Sequence, residues 1–291
     1  MHFYLAVNPQ KDPGLSFCRQ LADMIEARGA TAEILANTTD HFGNYHFDFE
    51  HASRVAGREA VVVVLGGDGT FLQCTNDLNL NHTDYPVIGI NLGTLGFLTQ
   101  VEREDVSDAL DAILAGEYTT EPMPLLSASV DSDRIHYSEE ATNDVVIGRD
   151  GFARVITLDV TIDGNFVFEA RCDGLIVSTA AGSTAYNISL GGPVVPPGTP
   201  VFVVTPIAPH LPGLRPVIVP DTAVIRVRIH GSRNCSHDGL VTCDGRSNGI
   251  WLESDEVVTI RKHSFTAHRI VLNNRKRGFY DIFRDKLLTV R

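Results

Sequence analysis

Three short stretches of this chain combine residue types that can hold and react a phosphorylated sugar. The first is Gly66-Gly67-Asp68-Gly69-Thr70, placed between an apolar run at 61–65 and residues of helical spacing. Glycines let a backbone approach a phosphate closely, and a helix N-terminus adds free N–H groups and a favourable dipole. A carboxylate among such amides is repelled by a phosphate unless it holds a metal or accepts a proton. Both are tasks of a phosphoryl-transfer site, which makes Asp68 the informative residue. The alternative is a tight turn with Asp68 as helix N-cap. No Gly-Lys-Ser/Thr follows, so this is not a Walker loop, and no Gly-x-Gly-x-x-Gly follows the first apolar run.

The second stretch joins Arg171-Cys172-Asp173-Gly174 to Gly182-Ser183-Thr184-Ala185-Tyr186-Asn187 across the apolar residues 175–178. Ser183 and Thr184 can cap a helix or bond a ribose or phosphate, and Tyr186 offers a flat face to a base. A plain strand–cap–helix junction explains the same residues. The third is Thr142-Asn143-Asp144 ahead of Val145-Val146-Ile147. A carboxylate there can accept hydrogen bonds from two adjacent ribose hydroxyls. On residue types alone, a cap at the start of a strand or helix is the simpler reading.

The elements that must position these residues change in texture along the chain. Up to about residue 117, strands and helices alternate. Strands are expected at 2–7, 31–35, 61–65 and 87–90, and helices at 15–28, 71–77 and 106–115. Alternation of this kind predicts a parallel sheet with helices on its faces. Beyond residue 118 the pattern is β-rich. A hairpin is expected over 155–170 about Asp163-Gly164-Asn165, followed by short strands at 175–178, 201–205, 216–219, 224–229, 240–243 and 257–261. Residues 280–288 have helical spacing and are expected to pack back on the first domain. The stretch 36–58 carries no clear period.

Composition sets limits. The chain has 291 residues, enough for two modest domains. No apolar run reaches the roughly 18 residues of a membrane span, and the first residues read as a strand and not as a signal peptide. Five scattered cysteines, with no Cys-x-x-Cys pair, fit a reducing cytoplasm. A net charge of −12 argues against nucleic-acid and anionic-membrane partners. Phosphates would have to be met locally, by backbone N–H groups, a few arginines and a divalent cation. His41, His46 and His51 could form a metal site, but their spacing of five suits neither a strand face nor a helix face. Arg275-Lys276-Arg277 reads as a solvated turn.

In this order, the three stretches resemble the NAD kinase family. The resemblance rests on Gly66–Thr70, on Asn143-Asp144, and on the run from Asp173 through Gly182-Ser183-Thr184-Ala185-Tyr186. Asn8-Pro9, the run 89–98, Gly191-Gly192-Pro193, Pro209-His210, Arg215-Pro216, Cys243-Asp244-Gly245 and the ending 279–287 extend it over nearly the whole chain. It implies transfer of a phosphoryl group from ATP or polyphosphate to the 2′-hydroxyl of the adenosine ribose of NAD, giving NADP, with Mg²⁺ as the divalent cation and a homo-oligomeric protein. It implies a Rossmann-like α/β domain at 1–117 with 269–291, and a β-rich dinucleotide-binding domain at 118–268. Asp68 would lie beside the reacting hydroxyl, with Gly69, Thr70 and Phe71 lining the same pocket. Asn143 and Asp144 would hold the substrate, and Asp173, Ser183, Thr184, Ala185, Tyr186 and Asp244 the rest of the dinucleotide.

The chain departs from the family pattern at four places. Ala180-Ala181 replaces Pro-Thr, Leu190 replaces an alanine, Asp144 is shorter than the commoner Glu, and residues 211–214 replace a more hydroxylated segment. The first departure motivates a rival reading, a dinucleotide-binding sensor without turnover; retention of Asp68 argues against it. A lipid kinase of the diacylglycerol or sphingosine type shares the Gly-Gly-Asp-Gly loop. Residues 173–186 and the acidic charge argue against that.

Overall fold

The computed structural model describes residues 1–39, 45–52, 59–94, 96–149, 155–230, 238–246, 248–274 and 277–288. The chain forms two compact units, Met1–Pro122 with Ala267–Arg291, and Met123–Thr266. The architecture is mixed α/β, with a parallel-strand sheet in the first unit and antiparallel sheets in the second.

In the first unit, β1 (His2–Val7), β2 (Thr31–Ile34), β3 (Ala60–Gly66) and β4 (Val87–Asn91) run parallel in the order β2-β1-β3-β4. β1, β3 and β4 are buried along their whole length, because helices cover both faces. Phe3, Leu5, Val7, Val61, Val63 and Leu65 share one core with α1 (Ser16–Glu26) and with Leu110 and Ile113, which the later helix Val106–Leu114 supplies. α1 buries Phe17, Cys18, Leu21 and Ile25, a single helical stripe. α2 (Asp68–Leu80) packs on β3 and buries Phe71, Cys74 and Leu78. It also buries Thr70, Thr75, Asn76, Asp77 and Asn79. A helix enclosed on more than one side has no amphipathic period, so its sequence shows only a short helical stretch. The C-terminal helix Phe279–Phe283 belongs to this unit, with the Phe279 ring 5.8 Å from that of Phe97.

The uneven stretch 36–58 holds two short antiparallel strands, Asn37–Thr39 and Tyr45–Phe47, the second against α2. His46 bonds the buried Asp77 at 2.7 Å, whereas His51 bonds Asp48. The two described histidines therefore serve different carboxylates, and His41 lies outside the described residues. Arg277 pairs with Asp285 at 2.7 Å; Arg275 and Lys276 also lie outside them.

The second unit is two antiparallel sheets over one core. One runs Val217–Pro220, Val201–Ile207, Gly174–Thr179, Asp144–Arg149, Gly239–Cys243, Ile250–Leu252. The other orders Asn165–Cys172, Ile156–Ile162 and Ile225–His230, then residues 257–260. Val145, Val177, Phe202 and Val241 from the first meet Leu158, Val160, Ile225 and Val227 from the second. The hairpin turns at Asp163 and Gly164, both with positive φ of 50° and 79°, the form a two-residue Asp-Gly turn demands. Two elements are longer than the sequence suggests. Tyr118–Asp131 is one strand, and Val257–Leu272 continues as strand through the polar residues 261–264.

Candidate active site

Asp68 is the first residue of α2, with only Gly67 between it and the end of β3. At the carboxyl ends of parallel strands, loops converge and ligands bind. The helix is capped by Gly67, and the Asp68 side chain makes no capping bond. It turns instead to the loop after β4. Its Oδ2 accepts the N–H of Phe97 at 2.8 Å, and its Oδ1 accepts the N–H of Leu98 at 3.0 Å, the N–H of Thr99 at 3.1 Å and the Thr99 hydroxyl at 3.1 Å. The N-cap alternative is therefore not what the chain does. Gly96 makes the approach possible: a Cβ on it would fall 1.9 Å from Asp68 Oδ1.

The neighbours of Asp68 divide by exposure. Gly69 is exposed, and the first N–H groups of α2 have no partner within the helix. Thr70 is buried, its hydroxyl 3.1 Å from Asn8 Nδ2 and 3.4 Å from the Tyr45 hydroxyl. Phe71 is fully buried in the interior of its unit and offers a ligand no side-chain surface. Thr99 and Tyr45, which sequence reasoning did not single out, hold Asp68 and Thr70 in place. Neither has a sequence signal of its own, since a threonine after a Gly-Phe-Leu run and a tyrosine in an aperiodic stretch are unremarkable.

In the second unit, Asn143, Asp144 and Asp244 come together. The Asp244 carboxylate accepts the N–H groups of Thr142 at 2.8 Å, Asn143 at 2.7 Å and Asp144 at 3.1 Å. Three convergent N–H groups make an anion site, and Asp244 fills it. Its backbone has a positive φ of 50°, which Asp tolerates better than most residues. Asp144 is 6% exposed and, among the described residues, its carboxylate has no hydrogen-bonding partner. Burial first, and then the negative charge of Asp244, push its pKa up to about 7.

The turn at 142–144 is clasped by the segment after Gly174–Thr179. Thr179 Oγ1 donates to the Thr142 carbonyl at 2.7 Å, and the Thr179 N–H donates to the Asn143 carbonyl at 2.9 Å. Gly182 lies so close that a Cβ would sit 2.0 Å from that carbonyl oxygen. Ser183 is fully buried and its hydroxyl is occupied: its one proton goes to the Ala180 carbonyl at 2.7 Å, with the Val195 carbonyl 3.1 Å away, and its oxygen accepts the Val195 N–H. Thr184 is half-buried and donates to the Ala181 carbonyl at 3.2 Å. Ala185 is half-buried and Tyr186 is 45% exposed, so its ring is open to a ligand. Asp173 pairs with Arg149 at 3.4 Å. Ala180, the main departure from the family pattern, packs in a small apolar cluster with Val195 and Val203. There its side chain contributes packing only, while its carbonyl receives the Ser183 hydroxyl.

Comparison with known proteins bears on the whole chain. The family model for the ATP-NAD kinase N-terminal domain matches residues 5–118, and that for the ATP-NAD kinase C-terminal domain matches residues 142–272. The NAD kinase of Thiobacillus denitrificans is 37% identical over 92% of this chain and 90% of its own length. That of Ralstonia nicotianae is 39% identical over 83% of this chain and 78% of its own. Among solved structures, an NAD kinase from Archaeoglobus fulgidus in complex with ATP superposes with a TM-score of 0.71 at 27% identity, over 97% of both chains. Yeast NADH kinase complexed with NADH shares the fold, with a TM-score of 0.77 at 20% identity over 100% of this chain and 89% of its own. With relatives this similar over nearly its full length, the chain belongs to the NAD kinase family.

Proposed function

We propose that the chain is an NAD kinase in which the α/β unit, through Asp68, serves the reacting groups and the β-rich unit holds the dinucleotide. It transfers the terminal phosphoryl of ATP, or of polyphosphate, to the 2′-hydroxyl of the adenosine ribose of NAD and so makes NADP. The observation that carries this reading is the Gly-Gly-Asp-Gly loop at the end of a buried parallel strand, in a chain that aligns with an NAD kinase over 92% of its length. ATP as donor is supported by the complex of the Archaeoglobus fulgidus relative.

The geometry of Asp68 suits either of two tasks. Oδ1 is taken by three donors, but Oδ2 accepts a single hydrogen bond and keeps a free acceptor direction. That oxygen can accept the proton of the ribose hydroxyl, or stand as one ligand to a divalent cation. Magnesium arriving on the donor phosphates would offset their charge as the phosphoryl group moves. The first N–H groups of α2, which have no partner within the helix, lie beside exposed Gly69 and suit phosphate oxygens. Asn143 and Asp144 take the ribose hydroxyls, and Tyr186, Thr184, Ala185 and Asp173 complete the dinucleotide site. Ser183 and Asp244 act by holding the backbone that carries these groups. The setting is the cytoplasm, the protein is a homo-oligomer, and the product feeds NADP biosynthesis.

The test is an end-point NADP assay with purified protein, NAD, Mg²⁺ and each donor in turn. NADP should form with ATP, stop when EDTA is added, and return with Mg²⁺ or Mn²⁺. No NADP with either donor would overturn the kinase reading, and full turnover in EDTA would overturn the metal's part in it.

A further inference from the structure

On the β-rich unit, three side chains from three neighbouring strands form a metal-ligand set that the phosphoryl-transfer reading does not use. Asp159 lies in Ile156–Ile162, Glu169 in Asn165–Cys172 and His230 in Ile225–His230. One ligand atom from each lies within 4.8 Å of the other two. Asp159 and Glu169 stand directly opposite each other in the hairpin, and His230 pairs in register with Thr157, two residues along from Asp159. Their chain neighbours Leu158, Val160, Phe168, Ala170 and Ile229 point into the core, so all three project from the outer face of the sheet.

Two further observations set this cluster apart from an ordinary charged surface. Asp159 Oδ1 is buried and has no hydrogen-bond partner, although Oδ2 of the same carboxylate lies 2.7 Å from His230 Nε2. A desolvated acceptor with nothing to accept is costly, and a cation is the partner it lacks. Neither carboxylate is paired with an arginine or lysine among the described residues, even though Arg228 stands in register with Asp159 on the same face.

We propose that Asp159, Glu169 and His230 bind a divalent transition-metal ion of the zinc type, with water as its fourth ligand. One nitrogen and two carboxylate oxygens suit zinc far better than magnesium or calcium, which prefer oxygen alone. Bonds of about 2.1 Å in a tetrahedron place ligand atoms roughly 3.4 Å apart, so a modest closure of side chains completes the site. The proton now shared by His230 and Asp159 leaves to solvent as the metal takes its place. Asn165–Cys172 is the outermost strand of its sheet. The ion would tie that edge to the two strands beside it, which protects an edge otherwise open to pairing.

The experiment is zinc titration of chelator-treated full-length protein, followed by calorimetry and by melting temperature, alongside Glu169→Gln and His230→Gln. Glu169 is exposed and makes no hydrogen bond or ion pair among the described residues, so Glu169→Gln should fold as the parent does. The parent should bind one zinc that is lost, or weakened at least tenfold, in both variants. Its melting temperature should rise by several degrees at zinc about a hundredfold above Kd, and Mg²⁺ at the same concentration should give no such rise. A parent that binds no zinc below millimolar concentration would overturn the site. Variants that keep the parent's stoichiometry and affinity would do the same, by showing that zinc sits on other histidines.

Discussion

At the scale of single residues, Asp68 and Asp144 are both carboxylates, and their surroundings set them to different work. Asp68 is fastened by four donors, so Asp68→Asn is not a neutral swap. Wherever the carboxamide nitrogen points, it meets an N–H and leaves a donor unpaired, at about 1–3 kcal/mol. Loss of turnover in Asp68→Asn alone therefore does not separate chemistry from anchoring. Gly96→Ala supplies the comparison, because its Cβ would collide with Oδ1 while the charge stays. If Asp68 acts on the ribose hydroxyl, Asp68→Asn should lose turnover at least a hundredfold and well beyond Gly96→Ala at matched loss of stability. Equal losses would make Asp68 an anchor for the loop at 97–99 and nothing more. For Asp144 the sign follows from its raised pKa of about 7. The folded state keeps a proton that the unfolded chain releases near its ordinary value of 3.8. Stability from this group is thus full below about pH 4, falls as pH rises towards 7, and is level above. Asp144→Asn should abolish that slope and leave the protein as stable as the parent, or more so, at pH 8. The ionised carboxylate is the better acceptor for ribose hydroxyls, so the KM for NAD should fall as pH rises through 7 in the parent alone. At pH 8 the variant's KM should be roughly ten- to a hundredfold higher. A parent and variant with the same KM profile would reduce Asp144 to a structural residue. The sequence marked both carboxylates by their glycine and amide neighbours. It could not show that Ser183 and Asp244 spend their polar atoms on the backbone, because Val195 lies 12 residues from Ser183 and the partners of Asp244 lie about a hundred residues away.

At the scale of elements, the turn at 142–144 depends on two others. Asp244 supplies its anion, and Thr179 with Gly182 clasps its carbonyls. Gly182→Ala pushes a methyl group into the Asn143 carbonyl, a backbone atom that cannot swing aside. It should cost about 1–3 kcal/mol by overpacking and raise the KM for NAD while Asp68 is untouched. Unchanged melting temperature and unchanged KM would show that the clasp yields without consequence. Periodicity explains which elements were legible. Strands buried on both faces, such as Ala60–Gly66, show as unbroken apolar runs, and α1 shows as a stripe. α2 is only half visible because it buries Asn76, Asp77 and Asn79 as well as Phe71 and Leu78. The strand Tyr45–Phe47 is hidden because its contacts are polar and distant, His46 to Asp77 above all. Val257–Leu272 reads as broken because Arg261, Lys262, His263 and Ser264 interrupt its apolar pattern without ending its pairing geometry.

At the scale of the whole molecule, the change in texture near residue 118 corresponds to a real difference in how the chain buries apolar surface. Helix-covered parallel strands give way to a two-sheet core, and each unit has its own buried thiols. Cys18 and Cys74 lie in the first unit, and Cys172 and Cys243 in the second. Burial pushes the Cys18 thiol up to about 12, Cys172 to about 11 and Cys243 to about 12, and it raises the Cys74 thiol well above its ordinary value. A thiolate is the reactive form, so these four should resist alkylation in the native protein at pH 8 and react once their surroundings open. Cys172 and Cys243 belong to one core, with Val145, Leu175 and Val227 among its members. They should therefore become labelled together as urea is raised, since a single packed core opens cooperatively. Pulsed alkylation read by peptide mass spectrometry gives each cysteine its own curve. Coincident midpoints for Cys172 and Cys243 are the expected result. Labelling of Cys243 well before Cys172 would show that the sheet holding the turn at 142–144 opens by itself, and that the ribose-binding carboxylate rests on a separately unfolding part of the unit.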